Sequence, residues 1–153
     1  MLIYLGADHK GFDLKERIKN ALKEWGYSEV YDVGGAELKD DDDYPDVAAL
    51  VAREVSKDPE NTRGMLACGS GAGVDIVANK FRGVRSVLAI SADQVFDARR
   101  DDNVNVLSLS ADAVDSEGAQ AIVRVFLNTP FAREERFVRR LEKISKIEDE
   151  LSQ

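Results

Sequence analysis

The sequence predicts an α/β fold, a five-stranded parallel sheet between two layers of helices, with one further helix at the carboxyl end. Two observations carry this. Short apolar bursts of strand length alternate five times with segments of helical period, from LIYLGA at the amino terminus to VNVLSLS at residues 104–110. Such alternation favours a parallel sheet, because right-handed crossovers return each strand parallel to the last. The length of 153 residues then fits one domain with its own core, residues 1–153, needing neither disulfide nor structural metal.

Taken in order, residues 2–7 read as the first strand. Leu14, Ile18, Leu22 and Trp25, spaced four, four and three apart, read as the first helix, stopped by Gly26. Val30, Tyr31 and Val33 form the second strand, ending at Gly34 and Gly35. The acidic run Asp40 to Asp43 is expected to be a solvated loop, since adjacent like charges resist compaction. Pro45 suits the first turn of a helix through Val47, Leu50, Val51 and Val55, and Pro59 and Asn61 mark the next loop. The third unit is GMLACG followed by GAGVDIVANKF. The fourth runs from RSVLAIS into a helix near Ala92, and the fifth from VNVLSLS into a helix around Gly118 to Leu127. Beyond Pro130, Phe137, Leu141, Ile144, Ile147 and Leu151 recur at helical spacing. That stripe needs a partner, and the sandwich has already used its own helices. The tail, residues 131–153, is therefore expected to pack on a second subunit or across the edge of the domain.

Composition narrows the function. With 44% hydrophobic and 33% charged residues and no apolar run near the roughly 20 residues that span a bilayer, the chain reads as soluble and globular, with no membrane partner. MLIYLGADHKG lacks the features of a secretory signal, and one cysteine stands alone, which together predict a cytoplasmic protein with a free thiol. A net charge of −8 disfavours nucleic acid as a partner. One histidine, one cysteine and dispersed carboxylates give no metal-ligand spacing, so no metal or cofactor is expected.

In open parallel sheets, ligands sit outside the carboxyl ends of the strands. Two loops stand out there: Gly6-Ala7-Asp8-His9-Lys10-Gly11 after the first strand, and Cys68-Gly69-Ser70-Gly71-Ala72-Gly73 after the third. The second puts a thiol at a strand end, before glycines that let backbone N–H groups face an anion at a helix amino terminus. The same glycines also suit a plain strand-to-helix turn, and free cysteines are commonly core residues. The G-x-G-x-G spacing is not a dinucleotide fingerprint, and no Gly-Lys-Ser/Thr ending makes it a Walker loop. A hydrolase built on Cys68 and His9 lacks an identifiable third residue.

Those two loops, with Asp43-Tyr44-Pro45, Ala78-Asn79-Lys80, Gly83-Val84-Arg85 and Asn105-Val106-Leu107 in the same order, resemble the ribose-5-phosphate isomerase type B and galactose-6-phosphate isomerase family. The resemblance covers nearly the whole chain. It implies a Rossmann-like three-layer sandwich, a homodimer with active sites formed between subunits (leaving open a dimer of dimers), and aldose–ketose isomerisation of a sugar phosphate, ribose 5-phosphate foremost. It implies that Cys68 moves a proton between adjacent sugar carbons through an enediolate. Backbone N–H groups from Gly69 through Gly71 and Ala72 to Gly73 would shelter the oxyanion, and the Ser70 hydroxyl would handle protons on sugar oxygens. Asp8, His9 and Tyr44 match ligand-binding positions. Arg136 and Arg140, four apart on one helical face with Arg133 a turn earlier, match phosphate ligands. Read without the resemblance, these arginines are a solvated face balanced by Glu134, Glu135 and Glu142.

Two positions depart from the family. Where it commonly has His-Asn-Asp, this chain has Asp101-Asp102-Asn103, so the histidine that opens the sugar ring is missing. Asp101 remains as an acid–base candidate through the mutual effect of two adjacent carboxylates, with Asp102 as a substrate contact. Asp112 stands where members often supply an arginine to the neighbouring subunit's phosphate. These changes leave two alternatives: an isomerase for a different or non-phosphorylated sugar, or a noncatalytic sugar-phosphate-binding paralogue.

Overall fold

The computed structural model describes residues 1–35 and 37–152. Five parallel strands, β1 (Leu2–Ala7), β2 (Val30–Gly34), β3 (Thr62–Cys68), β4 (Ser86–Leu88) and β5 (Val106–Ser110), form one sheet in the order β2-β1-β3-β5-β4. The helices are α1 (Phe12–Glu24), α2 (Tyr44–Lys57), α3 (Ala72–Ala78), α4 (Ala92–Asp102), α5 (Ser116–Asn128) and α6 (Glu135–Leu151). No helix among the described residues is long and apolar enough to cross a membrane.

The period-two alternation of the strands divides the core. Met65 and Ala67 of β3 face α1, α4 and α5, where Leu14, Ile18, Leu22, Val95, Ile122 and Phe126 are buried, while Leu66 and Cys68 face α2 and α3 with Val51, Val55 and Val74. Helix α2 lies close on the sheet because the strands beneath it carry glycines. A Cβ on Gly6 would fall 2.9 Å from both Val47 and Val51, one on Gly34 would fall 2.6 Å from Val47, and one on Gly64 would fall 2.8 Å from Val51.

Most sequence expectations match these elements, including the stop at Gly26, whose φ of 88° suits glycine alone, and Pro45 in the first turn of α2. Two elements are shorter. RSVLAIS yields only Ser86–Leu88; the Ala89 N–H still donates across to the Ser108 carbonyl, and on the open edge of the sheet the Gln94 side chain donates to the Leu88 carbonyl and accepts from the Ile90 N–H. α3 stops at Ala78, because the Asn79 amide donates to the carbonyls of Asp75 and Ser86 and accepts from Ser86 N–H, tying the helix end to β4.

Two buried cations brace the scaffold. Arg99, 3% exposed, donates to the carbonyls of Thr129 and Val104 and to the Asn103 side chain, and burial holds its guanidinium pKa down to about 10. Lys15, 2% exposed, donates to both oxygens of Asp32 at 2.9 and 2.7 Å and to the Gly35 carbonyl, fixing the carboxyl end of β2. Burial works against ionisation of Asp32, but Lys15 and Lys19 outweigh it and hold its carboxyl below the ordinary range. That pair's stabilisation is complete above the unfolded carboxylate pKa and is lost as pH falls through the lower folded value. Asp32→Asn is expected to cost about 2–3 kcal/mol at neutral pH, because it strands a buried ammonium, and denaturant titration should show this difference shrinking below about pH 4.

The tail helix resolves one expectation in part. Within the chain, α6 lies across the edge of the domain beside α4, with Arg82 paired to Asp149 and the Gly83 N–H donating to Glu148. Phe137 is its one residue classed as buried, while Val138, Ile144, Ile147 and Leu151 stay exposed. Most of the apolar stripe therefore has no cover from its own chain.

Candidate active site

The chain order reverses between β1 and β3: β2 is added on one side of β1, and the crossover α2 carries the chain back over β1 to the other. Such a switch point opens a crevice at the carboxyl ends of the two strands. The two singled-out loops meet there. Asp8 N–H donates to the Ala67 carbonyl at 3.3 Å, and a Cβ on Gly11 would fall 2.3 Å from that same oxygen, so only glycine lets the first loop lie against β3.

Cys68 ends β3 at the rim of the α2–α3 core and is 4% exposed. Its sulfur accepts the Gly71 N–H at 3.1 Å. Gly71 reaches that position with φ at 75°, and a Cβ there would fall 2.9 Å from the backbone of Leu109. The sequence reading assigned this N–H to a substrate oxyanion; the folded loop directs it to sulfur instead. The Ala72 N–H is likewise engaged, by the Ser70 hydroxyl at 3.3 Å. The Gly69 carbonyl accepts from Ser110 Oγ and from Asp112 N–H, fastening the loop to the end of β5. Ser70 is exposed, and the Tyr44 ring, from the first turn of α2, lies where a Cβ on Gly73 would meet it at 2.6 Å.

From the β1 loop, Asp8 is buried and its Oδ1 accepts the Gly11 N–H at 3.0 Å, closing the turn that presents His9. His9 meets Asp42: one carboxylate oxygen lies 2.8 Å from Nδ1 and also accepts the His9 backbone N–H at 2.8 Å. The acidic run is thus not wholly solvated, since the Asp42 side chain is only 15% exposed. The Asp42 hydrogen bond, with help from Asp8, raises the His9 pKa above its ordinary value, against slight burial and Lys10. Sequence reasoning missed Asp42 because nothing in a run of four aspartates distinguishes one from its neighbours. It missed Lys10 as well, whose stem and the Asp112 carboxylate both crowd the place a Cβ on Gly69 would take. Asp112 therefore borders the cysteine loop of its own chain.

The remaining candidates lie at the other end of the sheet. Asp101 and Asp102 close α4, and Asn105, three residues on, lies where β5 starts, its carbonyl accepting the Gly64 N–H at 2.9 Å. Cys68 is paired with Ser110 at the far end of that strand, five residues and roughly 17 Å away. Arg136 and Arg140 stand on the exposed side of α6 near these aspartates, their guanidinium groups 4.5 and 5.9 Å from the Phe137 ring. The Arg100 guanidinium chelates Asp101 at 2.6 and 3.0 Å and, aided by Arg136 and Arg140, holds its carboxyl low. The carboxyl that is pushed up is that of Asp102, by burial and by its charged neighbour Asp101. The expectation that Asp101 would be the protonated member of the pair is thereby corrected: Arg100 reaches it and favours the ionised form. Among the described residues no group of three or more His, Cys, Asp or Glu side chains is placed to hold a metal.

A doubly wound sheet with a thiol and a histidine loop at its switch point defines an α/β enzyme of the open-sheet class, acting on a small ligand at the strand ends. The family model described as Ribose/Galactose Isomerase matches residues 3–144, and this chain belongs to that family. It is 42% identical over 149 residues to a probable ribose-5-phosphate isomerase B of Mycoplasma genitalium, covering 97% of this chain and 96% of the relative. It is 36% identical over 148 residues to a ribose-5-phosphate isomerase B of Mycobacterium tuberculosis, covering 97% and 90% respectively. The crystal structure of ribose-5-phosphate isomerase B from Mycoplasma genitalium with bound ribulose-5-phosphate superposes with a TM-score of 0.92 at 40% identity, covering 97% of this chain and 96% of that one. The chain is thus an aldose–ketose isomerase of the three-layer α/β type.

Proposed function

We propose that this protein interconverts ribose 5-phosphate and ribulose 5-phosphate, with Cys68 as the base that carries a proton between C2 and C1. The observation that carries the reading is the bond from Gly71 N–H to the Cys68 sulfur at the sheet's switch point. A thiolate held by a backbone N–H beside a helix start is the form able to accept a proton from carbon. The sulfur takes the C2 proton, the electrons of that C–H bond form the enediolate and charge collects on O1. As the O2 hydroxyl proton passes to O1, the C2=O bond forms and the proton returned to C1 completes the ketose. At 4% exposure the sulfur is shielded enough to limit leakage of that proton to bulk water. Ser70, exposed beside it, suits proton handling on the sugar oxygens, and Asp8, His9 and Tyr44 form the surrounding wall. The Gly69 and Gly73 amides remain candidates for the enediolate oxygen.

The phosphate is assigned to Arg136 and Arg140 of a second copy of the chain. The reason is spatial: within one chain they lie a strand's length from Cys68, while most of the apolar stripe of α6 lacks cover. A homodimer answers both conditions. Asp112, beside the cysteine loop, weakens this phosphate site. Asp112→Arg is therefore expected to lower KM for ribose 5-phosphate about threefold to tenfold and leave KM for free ribose unchanged, as steady-state assays of both sugars would show.

Asp101, Asp102 and Asp112 also favour a second reading, an isomerase whose sugar carries an altered phosphate or none. A panel of aldose and ketose phosphates and free sugars in deuterated water separates the two. Interconversion and carbon-bound deuterium with ribose 5-phosphate as the best substrate supports the first, a better rate with another sugar supports the second, and no exchange with any panel member overturns both.

A further inference from the structure

Ser110 ends β5 opposite Cys68, is 8% exposed, and has no part in the chemistry proposed above. Its hydroxyl is committed to backbone. The single O–H proton goes to the Gly69 carbonyl at 2.8 Å and a lone pair accepts the Ala113 N–H at 3.2 Å, so no proton remains for a substrate. The Gly69 carbonyl also accepts the Asp112 N–H at 3.0 Å, and one residue earlier the Cys68 carbonyl accepts the Ala111 N–H at 2.9 Å. Both carbonyls therefore turn toward the end of β5. The sheet order puts β1 on the other flank of β3. No peptide bond among the described residues is cis, and in a trans peptide the N–H points opposite to the carbonyl. The N–H groups that follow these carbonyls, those of Gly69 and Ser70, accordingly point to the β1 flank, where the crevice lies.

Neither N–H donates to any described residue. A continued ladder would have offered the Gly69 N–H the carbonyl of Asp8, but that carbonyl accepts the Gly11 N–H at 3.1 Å. The next two amides of the loop are engaged, by the Cys68 sulfur and by the Ser70 hydroxyl. Two successive free N–H groups on one side of the chain make a concavity suited to an oxyanion. They directly follow the cysteine whose sulfur removes the proton, beside which charge develops on O1. We infer that Ser110 is a positioning residue for the enediolate: by anchoring the Gly69 carbonyl it aims the Ser70 N–H, beside that of Gly69, at the oxygen that becomes charged. This rests on the isomerase reading above. With the Asp112 N–H alone, the Gly69–Ser70 peptide plane is free to rock about one hydrogen bond, whereas a second donor from the side fixes it. A donor contributes most when it is held in place before the charge develops.

The test compares two ligands of the full-length protein. One is a hydroxamate on a four-carbon phosphate chain, whose N–O and C=O groups stand where C1–O1 and C2–O2 lie in the enediolate. The other is ribitol 5-phosphate, which has the same phosphate end and cannot form an enediolate. Ser110→Ala is expected to raise the Kd of the hydroxamate about tenfold and that of the polyol less than about twofold, with kcat for ribose 5-phosphate down about tenfold and KM changed less than about threefold. Ser110→Thr, which keeps the hydroxyl, should recover most of the loss. In the wild type, the hydroxamate should shift the amide proton signals of Gly69 and Ser70 downfield, and ribitol 5-phosphate should not. Equal weakening of both ligands in Ser110→Ala marks a general loosening of the site and overturns the inference. So does an unchanged Kd for the hydroxamate, or a hydroxamate that leaves the Ser70 amide signal unmoved. That last readout needs no variant and decides the matter if Ser110→Ala does not fold. A wild type that exchanges no carbon-bound hydrogen with any sugar sinks the isomerase reading itself, whereas an active wild type with any of these outcomes sinks the Ser110 role alone.

Discussion

Replacing Cys68 with alanine is expected to lower turnover of ribose 5-phosphate by about 10³–10⁴-fold and to remove deuterium incorporation at C2, because the group proposed to accept the carbon-bound proton is gone. The fold should persist. Alanine keeps the Cβ that touches the α2–α3 core, and the missing sulfur leaves only the Gly71 N–H without its acceptor. A thermal midpoint within a few degrees of wild type, alongside the lost rate, is the pattern that identifies a chemical role. A rate within tenfold of wild type would remove Cys68 from the mechanism. Cys68→Ser is expected to be nearly as inactive, since an alcohol is a far weaker acid than a thiol and so a far poorer source of an anionic base.

Mixing two inactive variants should restore activity if each site draws on two chains. Cys68→Ala and the double substitution Arg136→Ala/Arg140→Ala are each expected to fall below about 1% of wild-type kcat/KM, the second through loss of two charge-assisted phosphate contacts. Unfolded together and refolded, half of the resulting dimers are hybrids, and each hybrid holds one site with Cys68 from one chain and both arginines from the other. About a quarter of wild-type activity should return. Persistent inactivity of the mixture, with hybrids demonstrated by native mass spectrometry, would place the arginines outside the site. The strand-length separation of Asp101 and Arg140 from Cys68 makes this outcome decisive, because no side chain spans that distance within one chain.

The fold was largely legible in the sequence because its elements are specified locally. Leu14, Ile18 and Leu22 mark the buried face of α1, Pro45 and Gly26 punctuate helices, and Met65 to Cys68 alternate between two cores. What escaped depends on side chains reaching across the chain. Asn79 ends α3 by tying its last turn to β4, and Gln94 caps the open edge of β4, contacts that no periodic pattern shows. The candidate site was legible at Asp8, His9 and Cys68, because all three fall at the carboxyl ends of neighbouring strands. Its electrostatics were not. Which of Asp101 and Asp102 carries the raised pKa is decided by Arg100, whose fork closes on the nearer carboxylate, and which aspartate of the acidic run serves His9 is decided by loop geometry. Adjacent identical charges look alike until the backbone orients them.

The glycines beneath α2 have a further consequence for the pocket. Missing methyl groups at Gly6, Gly34 and Gly64 let Val47 and Val51 sit almost on bare peptide, which leaves the helix no clearance to slide or roll. Tyr44 heads that helix, so the place of its ring against the Gly73 turn is gauged by the sheet face beneath α2, by side chains that were left out. The wall proposed for the sugar would therefore owe its shape to residues that never meet it, and its tightest tolerance lies where the chain has least substance.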